Sequence, residues 1–356
     1  MRNVSFVKFS LLAAVMVCGC VIGAAQQTVF NEENKLADAQ FRRRALQFTD
    51  WSAPSNLGSP VNTAALDGCP FIARNGRDLI FASNRDVGSG PTDLYISHRE
   101  SRRGEWGEPI SLGPDINTPA YEEFCPALTR NGRYLYFVSN RPGGCGATDI
   151  YVARRLSRHS YTEWSEPQNL GCEVNSTGIE LSPSLFEDVR EEEDDDDDRE
   201  GRTVHLYFSS GLRPGGMGFG DIYVSQLQAD GTFGPASPVL EFNTPFNEIR
   251  PNIRGRDGLE IFFDSNRPGS LGGSPDLYVS TRACTTCPWT TPVNLGPTVN
   301  SASIDGRASL SFDGTELYFM SNRPGGFGDQ DVYVTRRTKI RRAKVTRDEK
   351  DRDRDR

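Results

Sequence analysis

Apolar residues in this chain fall in short consecutive runs rather than at helical spacing. In Leu317-Tyr318-Phe319 three neighbours are apolar, as expected of a strand covered on both faces. The same succession surrounds each such run. A short strand follows an acidic residue, and a turn comes next: "RNGR" at 74–77 and 130–133, "RDGL" at 256–259, "FDGT" at 312–315. Asn-Gly and Asp-Gly accept positive φ, so these segments mark tight hairpins. Then come "LIFASNR", "LYFVSNR", "LYFSS", "IFFDSNR" or "LYFMSNR", a glycine-rich loop, and "DLYIS", "DIYVA", "DIYVS", "DLYVS" or "DVYVT".

An aromatic phrase closes each round. Trp51, Trp106, Trp164 and Trp289 open W-x-x-P-x-x-L-G, and Phe233 opens a degraded copy, "FGPASPVL", at spacings of 55, 58, 69 and 56 residues. The long spacing contains an acidic insertion. Asn62, Asn117, Asn175, Asn243 and Asn300 follow these phrases, and an acid comes five or six residues later. Five copies of one four-stranded unit, each needing cover on both faces, predict an all-β fold: a five-bladed β-propeller of four-stranded blades.

We name the strands of a blade A (after the acid), B (ending SNR), C (starting DIY) and D (the aromatic phrase). Complete sets run through 69–113, 125–171, 182–240 and 250–296, whereas the fifth, at 307–336, lacks a D strand. The unpartnered D strand is the first, Trp51–Gly58. Pairing it into the last blade closes the ring and removes an exposed edge. B–C loops, D–A connections and A-strand starts then share one face, the front; A–B and C–D turns lie on the back.

The combination P-x-L-x-x-[ND]-G-x-x-L-Y-F-x-S-N-R-P-G-G-x-G-x-x-D-[IL]-Y-V over residues 51–337 resembles the WD40-like β-propeller repeat of the TolB type. The third copy departs with "SSGLRPGG", the fifth has Ala308 in place of Pro, and TolB itself typically has six blades. The resemblance implies a non-catalytic propeller, commonly periplasmic or envelope-associated.

Three sets of residues are candidates for chemistry. Asp67, Glu123, Glu180, Glu248 and Asp305 precede the A strands and are expected to ring the front mouth of the channel. There they attract a cation or basic ligand, or accept internal hydrogen bonds. Arg85, Arg141, Arg213, Arg267 and Arg323 end the B strands, and Asp93, Asp149, Asp221, Asp276 and Asp331 begin the C strands. Lying at opposite ends of one hairpin, these read as structural braces, the Asp holding a guanidinium or loop amides. The glycine-rich loops lack G-x-x-x-x-G-K-[ST] and read as turn geometry. His98, His159 and His205 occupy dissimilar positions and form no triad or metal set.

Composition refines this picture at the ends and in one loop. The net charge is −8, but residues 187–200 hold eleven acids against two arginines, so the remaining chain is close to neutral. That insertion (187–202) and the tail 338–356 read as charged, disordered segments. Arg2, Lys8 and the apolar "FSLLAAVMVCGCVIG" read as an export signal, residues 1–25, cleaved after Ala25. Alternatively it is a lipoprotein signal ending before Cys20, the lipidation candidate. Residues 26–50 form a linker that could be helical. Six cysteines remain, an even number suited to disulfides in an oxidising compartment. Cys284 and Cys287 are the first pair; Cys69 with Cys125 and Cys145 with Cys172 follow, with front-face alternatives open.

The expected function is therefore a non-catalytic, exported binding or scaffold module for a protein or polymer of the cell envelope. No enzyme activity, cofactor, metal or nucleic acid is expected, and membrane contact only through an N-terminal lipid anchor. Two alternatives stand beside it: a glycan-active hydrolase or lyase using front-face carboxylates, and a purely structural envelope component.

Overall fold

A computed structural model describes residues 48–86, 91–188, 203–273 and 275–340. The signal segment with Cys20, most of the linker, most of the acidic insertion and nearly all of the charged tail lie outside these residues. The described strands form five four-stranded antiparallel sheets. The first strand, β1 (Ser55–Asn56), precedes blade one, β2 (Asp67–Ile72), β3 (Asp78–Ser83), β4 (Asp93–His98) and β5 (Ile110–Ser111). Blade two is β6 (Glu123–Leu128), β7 (Tyr134–Ser139), β8 (Asp149–Arg154) and β9 (Gln168–Asn169). Blade three is β10 (Ile179–Asp188), β11 (Thr203–Gly211), β12 (Gly220–Gln226) and β13 (Ser237–Pro238). Blade four is β14 (Glu248–Ile253), β15 (Glu260–Ser265), β16 (Asp276–Thr281) and β17 (Val293–Asn294), and blade five contains β18 (Asp305–Leu310), β19 (Glu316–Ser321) and β20 (Asp331–Arg336).

The fifth blade is completed by β1, which pairs antiparallel with β20, Ser55 opposite Val334 and Asn56 opposite Tyr333. Both ends of the folded region thus share one sheet, and the all-β, five-bladed architecture read from the repeats is the one observed. Two boundaries differ. Four A strands begin at the acid itself and that of blade three one residue before it, because each acid pairs with the serine near the end of the B strand, as in Asp67 opposite Ser83. In blade three, Glu187 and Asp188 belong to β10, pairing with Val204 and Thr203. Ladder hydrogen bonding therefore carries the hairpin two residues into the segment expected to be loop.

The consecutive apolar runs are buried as their pattern requires. Leu79, Ile80 and Phe81 in β3 and Leu317, Tyr318 and Phe319 in β19 are all without exposure. Each blade repeats one cross-strand aromatic pair, for example Phe137 with Tyr151 and Phe319 with Tyr333, with ring centroids 6.2 and 6.1 Å apart. The recurring Asn of the D–A connection is a clamp. Asn175 accepts from Ile150 N at 2.9 Å and donates to Ile150 O at 3.2 Å. Asn62 does the same to Val332, at 2.8 and 2.9 Å, across the ring closure.

Arginines following the C strands stack on the aromatic phrase. Arg99 lies 4.5 Å from the Trp106 ring centroid and Arg282 4.3 Å from that of Trp289. At the closure, Arg337 lies 4.3 Å from Trp51 and 3.9 Å from Phe48. Leu227 and Phe233 meet at the corresponding place in blade three through a backbone bridge. Where the tryptophan is lost, so is its arginine.

Every A strand carries a bulge. The register shifts between Gly68 and Phe71 and at the equivalent places in β6, β10, β14 and β18. At each bulge a non-glycine residue is left-handed: Cys69, Cys125, Ser182, Arg250 and Arg307, with φ of 50°, 48°, 48°, 58° and 55°. Such a conformation costs energy in a residue with a side chain. Fivefold repetition makes it a built-in kink that turns the inner strand along the channel.

Candidate functional site

The five repeated acids do not face the mouth of the channel. Asp67, Glu123, Glu180, Glu248 and Asp305 have no exposure, and each is bonded to groups of its own repeat. Glu123 accepts from Thr118 N at 3.0 Å, Thr118 Oγ1 at 2.9 Å, Ser139 Oγ at 3.1 Å and Arg141 Nη2 at 2.9 Å. Asp67 is held by Thr63, Ser83 and Arg85 in the same way. Arg267 lies 3.1 Å from Glu248, and Arg213 stands off at 3.8 Å from Glu180. Arg323 pairs with Asp305. Burial pushes the Glu123 carboxyl above its ordinary range, against the Thr118 and Arg141 bonds that lower it. The expected acidic ring is thus a set of internal latches, each carboxylate fixed by the serine or threonine of the repeat; only in blade three, where Arg213 stands off, does one oxygen, Glu180 Oε2, lack a partner.

The arginines also cap the aromatic pairs. The Arg141 guanidinium lies 5.1 Å from Phe137 and 5.2 Å from Tyr151. Their ionic partners are the A-strand acids and not the C-strand aspartates. Those aspartates instead bind loop amides and the D-strand asparagine. Asp149 accepts from Cys145 N at 2.6 Å and Asn169 Nδ2 at 3.2 Å; Asp331 accepts from Phe327 N at 2.6 Å and Asn56 Nδ2 at 2.9 Å. Asp221 and Asp276 hold Met217 N and Leu271 N at 2.7 and 2.8 Å. Asp93 lies beside residues outside the described set; burial and the neighbouring Asp86 raise its pKa.

The cysteines pair as Cys69–Cys125, Cys145–Cys172 and Cys284–Cys287. The first joins the bulges of adjacent blades beside the channel. His98 bonds Asp78 at 2.7 Å, and among the described residues no group of three or more metal-ligating side chains forms.

What distinguishes one part of the ring is a break in its symmetry on the axis. The residue before the last serine of the B strand is Ala82, Val138, Ser209 or Met320 in four blades, but Asp264 in blade four. Asp264 is fully buried and accepts from Arg250 Nη1 at 3.0 Å and Arg307 N at 2.9 Å. Burial raises its pKa to about 6 despite both arginines. Burial, together with the positive charge of Arg250, lowers that of Arg307 to about 9. Gly306 accommodates the arrangement, since a Cβ there would collide with the Asp264 carboxylate. At the front edge of this cluster stands Glu122, an exposed carboxylate that acts electrostatically on Arg307. Sequence reasoning missed this cluster because it looked for what repeats; the signal was the aspartate in "IFFDSNR", unlike its four counterparts.

No family profile matches the chain, and no curated protein does. Solved structures do. An α-L-arabinofuranosidase from Lactobacillus brevis aligns with a TM-score of 0.53 at 12% identity, covering 78% of this chain and 92% of that one. An α-L-arabinofuranosidase from Podospora anserina, in complex with cellotriose, aligns at 0.50 and 12%, covering 82% and 97%. A thermostable family-43 glycoside hydrolase aligns at 0.51 and 13%, covering 80% and 93%. At such identities the likeness establishes the shared five-bladed fold. The expectation of a non-catalytic module and of no enzyme, which came with the TolB-type resemblance and the lack of a catalytic motif, is corrected toward its glycan-active alternative, since these structures are described as arabinofuranosidases and a glycoside hydrolase.

Proposed function

We propose that the protein is a glycan-active hydrolase working at the front mouth of its channel. The reaction class is that of the arabinofuranosidases sharing its fold. The observation that carries the reading to a place on the molecule is the polar, asymmetric cluster on the axis. Glycosidic cleavage needs carboxyl groups in unlike environments with at least one of them open to substrate, which five equivalent buried latches cannot supply. Around Arg307 two unlike carboxyls do occur: Glu122 in solvent, and Asp264 buried with its pKa raised to about 6. Glu122 is the group that meets substrate, and Asp264, without exposure, positions Arg250 and the Arg307 backbone, the residue on which Glu122 acts electrostatically. The three disulfides support an oxidising, extracytoplasmic setting, where the substrate is a polymer of the envelope or its surroundings.

Sugar release from arabinan, arabinoxylan and xylan, and from aryl α-L-arabinofuranoside and β-xyloside, tests this. The wild type is expected to cleave at least one. Glu122→Gln should cut kcat at least 100-fold, the scale of losing general acid–base catalysis, with Tm unchanged. No release on any substrate, or full activity in E122Q, refutes the reading.

A further inference from the structure

At the bulges along the axis, one cavity is lined by the Cys69–Cys125 disulfide, Ser182, Arg250 and Arg307. These are the five left-handed positions of the ring. Two of the five are cationic. Elsewhere in the ring each repeated arginine has its own paired carboxylate, but Arg250 and Arg307 share the single buried Asp264, and the exposed Glu122 acts on Arg307 without forming an ion pair.

That carboxylate is already occupied. One oxygen takes Arg250 Nη1 and the other takes the Arg307 backbone amide. The Arg307 guanidinium forms no ion pair among the described residues. Its Nε and that of Arg250 are buried without an acceptor, and so is Ser182 Oγ, on a residue only 9% exposed. Both arginines are partly exposed to the channel, but an unmet buried N–H or hydroxyl is costly, so two N–H groups and a hydroxyl lining one cavity beside one more arginine than bonded carboxylates call for an acceptor. A water molecule would serve the hydrogen bonds but leave the charge. The cavity has room for about one small ion and too little for a sugar.

We infer that the channel waist is a binding site for a halide-sized monovalent anion, held by Arg250, Arg307 and the Ser182 hydroxyl. The anion balances the second arginine and ties blades three, four and five together at the axis. This site does not rest on the glycan-hydrolase reading, and its test does not use catalysis.

Thermal unfolding of the full chain in sodium chloride and in sodium bromide, each against sodium gluconate at equal ionic strength, reads it directly. Gluconate is too large for the cavity. The wild type should show a saturable rise in Tm with either halide, about 5 °C at one hundred times the dissociation constant, and none beyond ionic strength with gluconate. Arg307→Met should abolish the halide-specific rise, and Ser182→Ala should raise the halide concentration required at least threefold. Equal response to gluconate, or an unchanged halide response in R307M, overturns the proposal. Should R307M fail to fold, anomalous scattering from wild-type crystals soaked in bromide decides. A bromide peak within hydrogen-bond reach of Arg250 and Arg307 supports the site, and water alone there overturns it.

Discussion

Replacing Arg337 by methionine removes a side chain that touches three parts of the ring closure at once. Its Nη1 and Nη2 donate to Glu260 of blade four at 2.8 and 2.5 Å, and its Nε donates to Gly314 O at 2.7 Å. Its plane lies over Trp51 of the incoming strand. Both partners in the ion pair have side chains only 8% exposed, so solvent cannot replace the lost contacts. Breaking a buried pair by removing one partner costs about 3–5 kcal/mol. Arg254, 3.0 Å from Glu260, stays behind and holds the loss near the lower end. The stack on Trp51 adds about 0.5–1 kcal/mol. A total near 4 kcal/mol corresponds to a Tm lower by about 10 °C in a domain of this size. Differential scanning calorimetry should be run beside Arg102→Met, whose ion pair with Asp313 is half-exposed and worth under about 1 kcal/mol. If R337M melts within a degree or two of R102M, the closure is not held as described.

Three further outcomes follow from the same structure. Cys69→Ser with Cys125→Ser opens a loop of 56 residues' separation and should cost about 4 kcal/mol. The pair at Cys284 and Cys287, separated by three, should cost about 2 kcal/mol; equal shifts in denaturant midpoint would refute this account. Asn175→Ala leaves the Ile150 amide and carbonyl without their clamp, a loss of about 2–4 kcal/mol, and an unchanged Tm would contradict it. Asp264 has its pKa raised from 3.8 to about 6, so the folded state binds its proton more tightly. Its contribution is greatest below pH 4 and declines as pH rises through 6. The stability of wild type relative to Asp264→Asn should therefore fall by about 2 kcal/mol between pH 4 and pH 7, and a flat difference would exclude the raised pKa.

The architecture was legible because a propeller repeats its instructions. The aromatic phrase, the Asn-Gly and Asp-Gly turns and the doubly buried B strands each occur often enough to give blade number and strand order. The missing fifth aromatic phrase located the closure at Trp51. Less legible was which side chain meets which. Arg85 and Asp93 are near in sequence, yet the guanidinium goes to Asp67, because the A and B strands pair with Asp67 opposite Ser83. The arginine stacks were also visible in outline, with Arg99 and Arg282 each seven residues before a tryptophan. They went unread because Arg337 and Trp51 lie at opposite ends of the chain.

By itself the sequence determined the all-β class, the five blades, the closing strand and the positions that repeat, since these follow from local pattern and turn chemistry multiplied fivefold. Tertiary structure alone decided what the repeated acids do, turning a supposed mouth of carboxylates into buried latches. It also gathered Ser182, Arg250, Asp264 and Arg307 from three blades onto one axis. Closing a ring brings residues dozens of positions apart within hydrogen-bond distance, and a pattern read along the chain carries no term for that approach.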